Sequence, residues 1–122
     1  YAAVPAAQEY GGTQMPSRMK KETMDELFRA ILSLNTIEEC YEFFEDLCTM
    51  KELADMAQRV ETAQMLLEGK TYEQIVKSVE ISTATISRIN RCIQYGSGGY
   101  EKVLSRIHEP AQDDKTAAAT NT

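Results

Sequence analysis

Four times the chain places Ser/Thr-x-x-Glu/Gln ahead of an apolar run: Thr23 with Glu26, Thr36 with Glu39, Thr49 with Glu52, and Thr71 with Gln74. In such a pair the hydroxyl accepts from a backbone N–H one turn on, and the later side chain reaches back to the N–H of the first residue. Two orphan donors of a helix start are satisfied together. One match is a weak signal, but four in one short stretch commit the chain to successive helices. Apolar spacing agrees. Leu27, Ile31 and Leu34 form a stripe in a helix over 23–34, and Cys40, Tyr41, Phe44, Leu47 and Cys48 in one over 37–48. Leu53, Met56, Ala57, Val60 and Leu67 mark a third helix over 50–68, stopped at Gly69, a suitable residue for the left-handed position after a helix. Shorter helices are expected over 72–79, from Ser82 to Tyr95, and over 100–107. No stretch alternates as a strand would, so the expected class is all-α with about six helices.

The ends differ from this middle. Residues 1–14, YAAVPAAQEYGGTQ, are rich in Ala and Gly without periodicity, and residues 109–122 are polar after a Pro. Residues 1–19 are expected to be a disordered extension, with Met15 or Met19 as a natural start, and 109–122 a disordered tail. One helical domain is expected over 20–108. No run of about 18 apolar residues suggests a membrane span, and no charged-then-apolar leader opens the chain. The three cysteines, Cys40, Cys48 and Cys92, form no CxxC pair and read as thiols of a reducing cytoplasm. A single histidine, His108, without ligand-spaced cysteines argues against a metal site, and no cofactor is expected.

The segment TYEQIVKSVEISTATISRINR (71–91) holds two short helical patterns separated by a tight turn. A helix-turn-helix, expected over about 71–95, needs apolar residues where its helices cross and a free polar face on the second. Ile75, Val76 and Val79 supply the inner face of the first helix, Ile81 fills the turn, and Ile86 and Ile89 supply the inner face of the second. Ser82 suits the N-cap. Thr83, Ala84, Ser87, Arg88 and Arg91 then share the outer face. Small residues there permit close approach to base edges and thymine methyls, and arginines hold phosphate or a guanine edge. The alternative is an amphipathic hairpin with a solvated Ser/Thr face. Glu80 occupies a turn position that often holds Gly, so the turn either avoids positive φ or tolerates its strain.

Charge is unevenly placed. The net charge of −6 argues against general nucleic-acid binding. Yet residues 22–68 hold twelve acidic and three basic residues, a net of −9, while 69–108 hold six basic and three acidic, a net of +3. Lys70 and Lys77 join Arg88 and Arg91 in the basic part, and Arg18, Lys20 and Lys21 precede the first helix. A polyanion would be drawn to one end and repelled by the other.

The run RVETAQMLLEGKTYEQIVKSVEISTATISRINRCIQYG resembles the DNA-binding half of the tryptophan repressor, and ILSLNTIEECYEFFEDLCTMKELADMAQR resembles the YerC/YecD branch of that superfamily. The likeness covers about residues 20–107. It implies an all-helical, intertwined homodimer acting as a cytoplasmic bacterial transcriptional regulator, a repressor by type, with double-stranded DNA as partner. It further implies an effector pocket at Thr49, Arg59 and Arg88, where arginines would pair with a small acid's carboxylate. Against tryptophan as the effector, Ile89 stands where the repressor has a Gly beside the indole ring. Thr49 is also explained as an N-cap, and Arg59 as a partner of Asp55. Glu73 replaces the repressor's base-contacting arginine, so a different operator is expected.

Aromatic residues agree with a dimer. Phe28, Tyr41, Phe43 and Phe44 crowd two short helices, with Phe43 off the stripe of Tyr41 and Phe44, and call for a second covering surface. Enzymatic function has little support: there is no Ser/His/Asp set, and GSGG at 96–99 lies between helices as a linker. A helical protein–protein adaptor without DNA binding is the alternative function.

Overall fold

The computed structural model describes residues 20–108; the extension expected over 1–19 and the tail expected over 109–122 lie outside them. Six helices and no strand occur among the described residues: α1 (Lys21–Leu32), α2 (Ile37–Leu47), α3 (Met50–Leu67), α4 (Tyr72–Ser78), α5 (Thr83–Tyr95) and α6 (Gly99–Ile107). The all-α class is as expected. The chain divides into two compact units, one up to Arg59 and one from Val60 onward.

In the first unit, two of the three start signals act as helix caps. Thr49 and Glu52 form the full reciprocal pair, the Thr49 hydroxyl accepting from Glu52 N–H at 3.0 Å and the Glu52 carboxylate accepting from Thr49 N–H at 2.9 Å. At α2 the Thr36 hydroxyl accepts from Glu39 N–H at 3.0 Å, but the Glu39 carboxylate takes the Asn35 N–H instead, one residue early. The pair at Thr23 does not cap. α1 begins a turn earlier, with extended Lys20 at the N-cap, and Thr23 lies inside the helix. A Lys21–Asp25 ion pair at 2.8 Å bridges that added turn. α1 also stops at Leu32, leaving Leu34 beyond it.

This unit buries little. Leu27, Ile31 and Leu34 are half-buried as a stripe should be, yet neither α1 nor α2 contains a fully buried residue. Phe43, expected to point away from Phe44, packs edge-on against it with ring centroids 5.5 Å apart. Among the unit's described residues, the aromatic side chains left exposed are Phe28 and Tyr41.

The second unit holds the core. Ala63, Ile89 and Leu104 form one buried cluster, and Ile75, Val79 and Ile86 another. Leu66 and Ile81 pack against both. Each fully buried isoleucine contributes about 1.5–3 kcal/mol relative to an exposed one. On α3 the buried positions here are Thr62 and Ala63, whereas Val60 and Leu67 of the expected stripe are exposed. α3 closes as foreseen at Gly69 (φ 87°). The Lys70 N–H donates to the Met65 carbonyl and the Gly69 N–H to the Leu66 carbonyl, both at 3.0 Å, which is the Schellman arrangement.

Candidate nucleic-acid interface

The Thr71–Gln74 pair starts α4 as a complete capping box, with the Gln74 amide oxygen accepting from Thr71 N–H at 2.8 Å and the Thr71 hydroxyl from Gln74 N–H at 3.1 Å. Seven residues on, α4 ends at an extended Val79. The turn then runs through Glu80 and Ile81 to Ser82. Only glycines have positive φ among the described residues, so Glu80 is unstrained and the turn needs no Gly. Ser82 caps α5, its hydroxyl accepting from Thr85 N–H at 3.2 Å and lying 3.0 Å from the Thr85 hydroxyl.

Ile75 and Val79 of α4, with Ile86 of α5, form the crossing of the two helices, and Ile81 seals the turn beneath them. Val76, expected on the inner face, is 44% exposed. Ile75 and Val79 are one turn apart and define the buried stripe, and Val76 is rotated about 100° from Ile75.

α5 is thereby fixed with one side inward. Ile86 and Ile89 are buried, and Thr83, Ala84, Ser87, Arg88 and Arg91 are all exposed. Lys70 and Lys77 are exposed too. All seven residues belong to the second unit. Arg88, Arg91 and Lys70 make no ion pair among the described residues. Lys77 lies 3.9 Å from Glu73, both side chains largely in solvent, a contact worth well under about 1 kcal/mol. The face thus presents small side chains near the start of α5 and uncommitted cations further along it.

The effector residues are distributed differently. Thr49 and Arg59 lie in the first unit and Arg88 in the second. Thr49 is occupied as a cap. Asp55 pairs with Lys51 at 3.3 Å rather than with Arg59. Ile89 is 3% exposed and belongs to the core. No group of three or more His, Cys, Asp or Glu suited to a metal ion occurs among the described residues. The three cysteines are free and half-buried, and no described helix is long and apolar enough to cross a membrane.

One residue of the α5 face escapes a search by base-reading residue types: Tyr95, in the last turn, 84% exposed. Its signal is register, since it falls eleven positions after Ala84, three helical turns along the same line.

The chain is similar to known proteins over nearly all of the described residues. The family model for the Trp repressor protein matches residues 22–108. The Bacillus subtilis protein YerC, described as uncharacterized, is 50% identical over 92 residues, covering 75% of this chain and 88% of YerC. The crystal structure of a TrpR-like protein from Eubacterium eligens superposes with a TM-score of 0.71 at 46% identity, covering 75% of this chain and 95% of that one. A Staphylococcus aureus structure also superposes with a TM-score of 0.71, at 44% identity, covering 75% of this chain and 91% of that one.

Proposed function

From the premise that this chain belongs to the Trp repressor family, we propose that it is a homodimeric transcriptional regulator that binds double-stranded DNA by sequence, acting as a repressor in the cytoplasm. One observation carries the proposal. The crossing of α4 and α5 buries Ile75, Val79 and Ile86, packing against Ala63 and Leu104 buries Ile89, and Thr83, Ala84, Ser87, Arg88 and Arg91 are left together on the open side of α5. A helix held in that way offers its first turns to base edges in a major groove. Thr83, Ala84 and Ser87 read base edges; Arg88 and Arg91 hold phosphate, and Lys70 and Lys77 add positive charge nearby.

Dimerisation is supported by the first unit. Its helices α1 and α2 bury no residue fully, and Phe28, Leu32, Ile37, Tyr41, Leu47 and Met50 are exposed. Exposed apolar sets of this kind mark interaction surfaces. A second copy supplies the cover and sets two α5 helices for half-sites about one helical turn apart, ~34 Å centre to centre.

Tryptophan is not proposed as the effector. Ile89 fills the position where an indole ring would need space, and it is committed to the core.

The test is an electrophoretic mobility shift against a random duplex pool at two salt concentrations, followed by selection of bound sequences. Enrichment of one motif supports sequence-specific regulation. Absence of any salt-dependent shift would favour the adaptor function instead.

A further inference from the structure

We propose that Tyr95 extends the DNA contact of α5 onto the sugar–phosphate strand beyond the groove, its hydroxyl donating to a phosphate oxygen; this rests on α5 being the DNA-facing helix. At about 100° per residue, Ala84, Arg88, Arg91 and Tyr95 fall within roughly 60° of one another. That line is opposite the inward Ile86, Ile89 and Ile93, of which the first two are buried and the third packs against the core. Tyr95 therefore cannot turn toward the core of its own unit. It is 84% exposed and makes no hydrogen bond or ring contact among the described residues. Its place is also fixed. Gly96 N–H donates to the Cys92 carbonyl at 2.8 Å, closing the helix directly after Tyr95.

Length decides what it meets. From Ala84 to Tyr95 the helix rises about 16 Å at ~1.5 Å per residue, and the major groove is about 12 Å wide. With the first turns at base edges and the helix axis inclined out of the groove, the last turn would lie over backbone. Phosphate there offers acceptors only, and a phenol hydroxyl can donate. The carbonyl end of a helix repels an anion from the main chain, so a neutral donor reaching outward suits this place. Arg88 and Arg91 on the same line, without ion pairs, supply complementary charge.

Tyr95→Phe and Tyr95→Ala are each titrated against the selected duplex and an unrelated duplex over a range of salt, with mass and melting temperature measured in parallel. Both variants are expected to lose about a hundredfold in affinity of the dimer on both duplexes, the worth of one hydrogen bond to a charged acceptor per subunit. The salt slope should stay as in the unsubstituted protein, because a neutral side chain releases no counterion. Mass and melting should not change. The inference is overturned if Tyr95→Phe binds like the unsubstituted protein. It is equally overturned if the slope changes, or if either variant dissociates or melts early, which would place Tyr95 between subunits. If the unsubstituted protein binds duplex and both variants bind equally well, this inference alone falls. If the unsubstituted protein binds no duplex, the function proposed for α5 falls with it.

Discussion

Thr62 is wholly buried in α3, and its hydroxyl has no hydrogen-bond partner among the described residues. A buried hydroxyl without a partner costs roughly 1–3 kcal/mol, and removing it while keeping the shape is neutral or stabilising. Thr62→Val should therefore raise stability by about 1 kcal/mol in urea denaturation. A loss of similar size would mean that the hydroxyl finds a partner in the assembled protein. The same logic of occupied and free groups applies on α5. The Ser82 and Thr85 hydroxyls are engaged at the cap, which leaves Thr83, Ala84 and Ser87 for the base reading proposed above. Thr83→Ala should shift the selected sequence, at about 1–3 kcal/mol of discrimination per lost contact. Arg91→Ala should weaken all duplexes alike and reduce the salt slope by about one per subunit. These exposed positions were legible in the sequence because the isoleucines at 86 and 89 set the register. Thr62 was not, since a hydroxyl within a helix carries no sign of whether it faces solvent or core.

α4 is seven residues long, too short to stand without its cap and its packing. Thr71→Ala removes the acceptor for Gln74 N–H and should cost about 1 kcal/mol of thermal stability. Gly96 matters for another reason. A Cβ there would lie 2.5 Å from the Cys92 carbonyl oxygen, a backbone atom. Gly96→Ala should lower the melting temperature, with a cost of roughly 1–3 kcal/mol for the forced shift. Helix starts were legible wherever the residues ahead of the box were not helical, as at Thr36, Thr49 and Thr71. At Thr23 the signature misled, because Lys20 already stands in the cap position and the Lys21–Asp25 pair supports the extra turn. Helix existence followed from periodicity; the boundary depended on a local competition that periodicity does not encode. The Glu80 turn was open in the sequence for the same reason. Backbone angles decide it, and they avoid positive φ.

Across the molecule, charge and burial divide at different places. The acidic residues concentrate between 22 and 68, a stretch that includes α1 and α2, which bury nothing fully, but also the core residue Ala63, and the basic residues concentrate after it. The surplus of aromatic residues was visible in the sequence. Which of them remain uncovered was not, because the edge-on contact of Phe43 with Phe44 depends on side-chain geometry. Light scattering at micromolar concentration should give twice the mass of one chain, and a monomer would contradict the proposed dimer. The face of α5 carries the DNA binding proposed for this protein. Its test is the affinity of a Ser87→Ala/Arg91→Ala double variant, verified as folded by circular dichroism, for the duplex selected by the unsubstituted protein. The expected result is a large loss of affinity together with loss of preference over unrelated duplex. Binding equal to that of the unsubstituted protein would contradict the account and leave α5 as a solvated helix.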